Sequence, residues 1–242
     1  MNTRWLAAIF AACFAVVMIA TLPMAVVLRA VDLPAHGVVF SRVSGTVWNG
    51  EIAGLAWRGH DLGGARLALR PLSLVIGRLG VDIDLDGAGL VDGGGFIALS
   101  PGGLHVRDLA LSADVADLPI LLPLSGRVAL DLSRADVNAA GCRQIEGSVR
   151  TDALKNRPAG LDWSGPELKG PMTCSEGAIM IPLRGAAGSE TIGVAMTLGK
   201  DGSFGVRVDA RTPNAAVLSV LSAIGFVESD GVMTLTQRGR WI

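Results

Sequence analysis

Val81-Asp82-Ile83-Asp84-Leu85-Asp86-Gly87 has two readings, and the choice between them sets the fold. Read as D-x-D-x-D-G, it opens a calcium loop whose aspartates supply oxygen ligands. Such a loop needs a bidentate glutamate at its twelfth position, and that position is Gly93. Ile83 and Leu85, set between the aspartates, are core residues by type. Read as a strand, the same stretch puts Val81, Ile83 and Leu85 on one face and three carboxylates on the other. The strand reading needs no missing ligand, and no metal is expected.

The same alternation recurs along the chain. Leu67 and Leu69 face away from Arg66 and Arg70. Leu109, Leu111, Ala113 and Val115 oppose Asp108, Ser112 and Asp114, and Val128, Leu130 and Leu132 oppose Arg127 and Asp131. Further strands are expected around Ile192 to Leu198, around Phe204 to Val208 and over residues 231–239. Strands with one apolar and one wet face suit an antiparallel sheet, and the recurring glycines suit a meander. Two stretches follow helical spacing instead. Leu72, Val75, Ile76 and Leu79 suit a turn or two of helix. Residues 213–225, with Thr212 as cap and Pro213 in the first turn, form the clearest soluble helix, expected to close one end of the sheet. Asp92-Gly93-Gly94-Gly95 reads as a hairpin turn. Residues 156–160, with Pro158, read as a surface loop.

Ahead of the strands, residues 5–28 are uncharged, with Arg4 and Arg29 at the two ends. About 20 apolar residues suffice for a helix across the bilayer, so this run is expected to be an uncleaved transmembrane anchor, with Pro23 as a candidate kink. A cleaved signal peptide is the alternative, disfavoured by the length and by the missing small-x-small site. The expected layout is a cytoplasmic stub at 1–4, the anchor at 5–28, a stalk at 29–36 and an exported domain at 37–242.

The 242 residues carry 21 basic and 22 acidic side chains, so no polyanion and no nucleic acid is expected as a partner. Of the three cysteines, Cys13 lies in the apolar run, while Cys142 and Cys174 lie in the exported part. Two lone cysteines in an oxidising compartment are expected to pair, the alternative being two buried free thiols. His36, His60 and His105 sit in no recognisable motif, and no G-x-S-x-G elbow occurs. No catalytic residue, cofactor or enzyme activity is expected. Trp48, Trp57 and Trp163 read as core or sheet-edge residues, although an exposed tryptophan would instead mark a partner site. The early stretch 43–57 lies nearest the anchor and is glycine-broken. Thr46, Trp48, Asn49, Glu51 and Trp57 are therefore the candidate partner contacts, with the opposite sheet edge expected to lie under the helix at 213–225.

Taken in order, an N-terminal apolar run, Ser44-Gly45-Thr46-Val47-Trp48-Asn49-Gly50, Cys142, Asp162-Trp163, Cys174-Ser175-Glu176-Gly177, Pro213 and Asp230-Gly231 before a last strand resemble the type II secretion system protein N family, the general secretion pathway N subunits of Gram-negative bacteria. The resemblance covers nearly the whole chain. It implies a single-pass inner-membrane protein with its bulk in the periplasm, an accessory part in exporting folded proteins across the outer membrane, and other subunits of that system as partners. It brings no catalytic residues. The family is also similar to AsmA-like envelope proteins, whose curled sheets hold lipid, which makes a lipid-handling groove the alternative. Pro171 departs from the pattern and suggests an edge strand before Cys174. The fold expected is thus mostly β: an N-terminal transmembrane helix, then a curved, mainly antiparallel, AsmA-like sheet with one helix near the C-terminus.

Overall fold

Alternating strands with one apolar face must either stack on a second layer or curl. The computed structural model describes residues 3–30, 37–87, 89–117, 125–156 and 163–240, and these form one sheet of fifteen strands. The strands are β1 (Val38–Val39), β2 (Arg42–Thr46), β3 (Asn49–Trp57), β4 (His60–Leu69), β5 (Leu79–Asp86), β6 (Val91–Ser100), β7 (Gly103–Asp114) and β8 (Arg127–Asn138). They continue with β9 (Gly141–Thr151), β10 (Leu168–Ser175), β11 (Ala178–Ala187), β12 (Glu190–Leu198), β13 (Ser203–Arg211), β14 (Val227–Ser229) and β15 (Val232–Arg240). From β3 to β13 each strand pairs with its sequence neighbours, always antiparallel. β1 and β2 share the outer side of β3, and the far end runs β13–β15–β14.

The first and last strands do not meet, so the sheet stays open. Among the described residues no second sheet covers it, yet Leu132, Leu168, Ile181 and Leu183 are buried and join one cluster with Val106, Ala135 and Met172. A flat single sheet would leave these side chains in water. The apolar face therefore curls onto itself, helped by the register shifts between Gly94 and Phe96 and between Leu132 and Arg134. β5 confirms the strand reading of its aspartates. Asp82 holds Arg70 through two hydrogen bonds of 2.7 and 2.6 Å, and Asp86 accepts from the Gly64 N–H at 2.9 Å.

The apolar run at 5–28 departs from the single span expected of it. It divides into α1 (Thr3–Ala20) and α2 (Met24–Ala30). Pro23, which has no N–H to continue the helical ladder, instead bridges to Thr46. Met24 and Leu28 turn back and are buried with Val47, Ile52 and Ala65. Among the described residues no helix is long and apolar enough to cross a membrane. Residues 1–2 of the expected stub, 31–36 of the stalk (His36 included), 157–160 of the expected loop and Asp162 lie outside the described residues.

Other expectations shift for local reasons. Asp92-Gly93-Gly94-Gly95 is strand, within β6, rather than a turn. Its glycines admit a neighbouring backbone, since a Cβ on Gly95 would lie 2.6 Å from the Leu109 Cα. β10 is interior, between β9 and β11, so Pro171 does not mark an edge. Lys169 pairs with Arg184 and Thr173 with Met180, which sets Pro171 across from Pro182. Two residues without N–H groups thus share one gap in the ladder. α3 (Pro71–Val75) forms where helical spacing was read. α4 (Ala215–Ala223) is capped by Asn214, not Thr212, through the Ala216 and Val217 N–H groups.

Three hairpins turn on two left-handed residues: Arg58-Gly59 (φ 50° and 88°), Glu176-Gly177 (52° and 79°) and Asp230-Gly231 (53° and 72°). Such turns match the strand twist and need positive φ at both positions. Gly59 has open space around the position of a Cβ, so only its φ resists substitution. Gly59→Ala is expected to cost about 1 kcal/mol. Gly205→Ala, in equally open space on β13 without a positive φ, should be neutral or slightly stabilising. Urea unfolding of the two variants checks the contrast.

Candidate functional site

The candidate partner residues sit where the chain passes from α2 through the β2–β3 hairpin. Thr46 and Asn49 pair at its tip, with Val47 and Trp48 between them. Val47 is buried because its N–H donates to the Leu22 carbonyl at 3.0 Å and its carbonyl accepts from the Leu69 N–H at 3.0 Å. The Trp48 Nε1–H donates to the Ile19 carbonyl at 2.9 Å, so this half-buried ring fastens the sheet to the end of α1. Thr46, half-buried against Pro23, also belongs to this joint. Asn49 and Glu51 are exposed, with Glu51 across from Arg66. Trp57 lies at the other end of β3, 46% exposed, with the Arg58 guanidinium 5.2 Å from its ring centroid. The structure therefore splits the expected patch into a joint with α1 and α2, an exposed polar pair, and a separate aromatic site.

The two sheet edges match expectation in part. On the N-terminal side β1 and β2 are themselves the edge strands, lying on the outer side of β3 with α2 beside β2, and among the described residues no further strand pairs with them. At the C-terminal side α4 does not cover the edge, because its one buried side chain is Val217. β14 pairs only with the first three residues of β15. Among the described residues no strand pairs with the outer side of residues 235–240, and residues 236–240 are exposed.

Cys142 and Cys174 are joined by a disulfide, with their Cα atoms 5.6 Å apart. They stand on neighbouring strands, and the Cys142 N–H donates to the Gly177 carbonyl at 2.8 Å. Cys13 is free and exposed. Trp163 is half-buried and donates to Glu190 at 2.8 Å, while Glu190 also accepts from the Thr212 hydroxyl at 2.7 Å.

One cluster escaped sequence reading. His105 lies between Ser100, with Oγ 3.1 Å from Nε2, and Asp136, with Oδ1 2.5 Å from Nδ1. Arg134 holds the other Asp136 oxygen at 2.8 Å. No motif marked the cluster, because strand pairing across β7–β8 brings Asp136 to a histidine 31 positions earlier. The order resembles a hydrolase triad, but the surroundings point to a tie between strands. Ser100 Oγ is already engaged with the Gly103 carbonyl and the Gly102 N–H, each at 3.2 Å. The Gly102 N–H that an oxyanion would need therefore points at the serine oxygen itself. The His105 ring, then Arg134, holds the Asp136 carboxyl below the usual aspartate range. Far along the sheet, a cavity of about 1120 Å³ is rimmed by Lys155, Glu167, Lys169, Arg184, Asp209 and Arg211. Lys155 and Glu167 pair with each other on its rim at 2.7 Å.

These features define an open-edged antiparallel meander whose single apolar face is packed on itself. A family model described as "Type II secretion system (T2SS), protein N" matches residues 36–236, and the chain belongs to that family. It is 30% identical to the type II secretion system protein N of Aeromonas hydrophila over 78% of this chain and 77% of that protein. It is 28% identical to the Klebsiella pneumoniae protein of the same name over 84% and 83%. To the Vibrio cholerae protein of that name it is 27% identical, over 62% of this chain and 58% of the relative's length. No solved structure matches it significantly.

Two outcomes follow. Reducing the Cys142–Cys174 bond frees a loop with a separation of 32 residues, and chain entropy sets the expected loss near about 3.7 kcal/mol. Urea unfolding with and without reductant measures it. The lowered Asp136 pKa means that its ion-pair stabilisation is complete above the ordinary aspartate pKa of about 3.9 and is lost as pH falls through the depressed folded value. Asp136→Asn should therefore flatten the stability profile below pH ~4, read as urea midpoints across an acid series.

Proposed function

We propose that this chain is an accessory subunit of the type II secretion apparatus, held at the inner membrane with its sheet in the periplasm. There it assists the export of folded proteins across the outer membrane by contacting other subunits. The family match over residues 36–236 carries this reading. Membrane attachment is supported by α1, whose described side chains, Trp5, Phe10 and Phe14 among them, are exposed and apolar. A helix apolar all round needs an apolar medium. A periplasmic setting is supported by the Cys142–Cys174 disulfide, which persists in oxidising compartments. The role is that of a scaffold, without catalysis or cofactor. The alternative, a lipid-holding groove, finds less support, since the curled face is filled by its own Leu132, Leu168, Ile181 and Leu183.

Partner contacts are assigned to the exposed pair Asn49 and Glu51. Photo-crosslinkers at these two positions, in cells producing the whole apparatus, should capture another secretion subunit. Probes at Ser189, in the exposed β11–β12 turn, should not. Capture from Thr236 and Arg238 on the open β15 edge, with none from Asn49 or Glu51, would move the docking site to the other edge. Capture from neither edge would defeat the scaffold reading.

A further inference from the structure

The loop around α3 exposes more apolar surface than any fold-building role explains. Leu72, Val75 and Ile76 are 81%, 83% and 66% exposed, and Leu74, Leu79 and Leu99 beside them are also exposed. The loop is nonetheless ordered by its own hydrogen bonds. The Arg70 N–H donates to Gly80, Gly77 to Leu74, and Arg78 to Ser73 at 2.8 Å. Exposed apolar side chains in a fixed loop mark a surface that meets something apolar.

The hydrogen bonds at the base of α1 say what that is. Leu22, just past α1, accepts from Val47, and Val47 accepts from Leu69. Leu69 is two residues before Pro71, where α3 begins. Two hydrogen bonds thus link the root of α1 to the root of the α3 loop. Strand register agrees: Gly50 pairs with Leu67, Leu69 with Val81 and Leu79 with Leu99, so all of these lie at the sheet end where α1 attaches. Trp57 and Ser189 lie at the opposite end.

We propose that the α3 loop is a second membrane contact, whose Leu72, Val75 and Ile76 dip into the lipid surface beside α1. This rests on the reading of α1 as membrane-embedded and adds to it an orientation of the sheet. The occupant is lipid rather than a protein groove, because the patch lies at the sheet end from which a helix apolar on every described side emerges. The exposed Arg78 at the loop's foot lies at headgroup height, where a guanidinium meets phosphate. An interfacial segment of this kind buries its apolar side chains about 5–10 Å into the headgroup boundary.

The test uses the full chain in vesicles of phosphatidylethanolamine and phosphatidylglycerol, with or without brominated lipid. In a Cys13→Ser background with the disulfide intact, a polarity-sensitive fluorophore is placed at Val75→Cys, Phe10→Cys or Ser189→Cys. Equal melting temperatures show that each variant is folded, as the exposure of all three sites leads one to expect. The label at position 75 should shift to the blue and lose most of its emission to brominated lipid, as should the label at position 10, while the label at 189 stays unquenched. Quenching at 10 without quenching at 75 overturns the α3 contact and leaves the α1 reading in place. Quenching at neither overturns both, and equal quenching at 75 and 189 overturns the orientation.

Discussion

A single sheet with one apolar face has to hide that face without a partner layer. Here it does so by curling, and much else follows from that constraint. The buried cluster runs from Val106 on β7 to Leu183 on β11, linked through Ile145 and Val149 of β9 and joined by Leu154 of the β9–β10 connection, and its burial within one sheet calls for bent strands. Bending needs twist. The two-residue left-handed turns at Arg58-Gly59 and Glu176-Gly177 and the bulges on β6 and β8 supply it. The disulfide ties β9 to β10 at the strand ends opposite their long connection at 152–167. Pro171 and Pro182 share one ladder position, so the loss of two donors opens one gap instead of two.

Curling without closure leaves two edges, and the chain treats them differently. One ends in the short strands β1 and β2, with α2 beside β2, whose Met24 and Leu28 complete a second, smaller core. The other leaves the outer side of residues 235–240 without a paired strand among the described residues, ending in Arg238 and Arg240. Charged side chains on an edge strand discourage indiscriminate strand addition. Arg240 is itself tied to Asp201 at 3.2 Å, and the Ser203 hydroxyl and N–H hold the Asp201 carboxyl down to about 2.

The strands were legible because their signal is local. Period-two alternation survives in β5, β8, β12 and β13 whatever they pair with. The calcium-loop reading of Asp82, Asp84 and Asp86 failed on the identity of Gly93, and the structure puts the Asp82 and Asp86 carboxylates to work on Arg70 and Gly64. What stayed hidden depends on pairing. The meeting of Asp136 with His105 is set by the register of β7 on β8, and no spacing in the chain encodes it. Whether a proline marks an edge or a shared gap depends on what lies opposite, so Pro171 was misread. The glycine run at 93–95 looked like a turn because a turn and a crowded strand both demand a missing Cβ. Within the stretch 43–57, the residue pattern could not tell that Trp48 and Thr46 hold the end of α1 and the turn after it, while Asn49 and Glu51 stay exposed.

The N-terminal run shows most clearly how local and tertiary signals divide a segment between them. By hydropathy alone residues 5–28 form one unit, and the helix signal does not weaken at Thr21. The break comes from Pro23 together with a docking site the run cannot see: the Val47 N–H and the apolar pocket of Ile52 and Ala65. Burying Met24 and Leu28 there is worth about 1.5–3 kcal/mol each, enough to outweigh a few helical hydrogen bonds that Pro23 has already weakened. The consequence is mechanical. α1 is fastened to the sheet by direct contacts, since Ile19, Leu22, Pro23 and Met24 all engage the β2–β3 hairpin or its neighbours. A helix fixed in this way sets the orientation of the sheet relative to whatever medium receives the helix. The same turn that holds α1 then decides which end of the sheet, and which loops on it, face that medium.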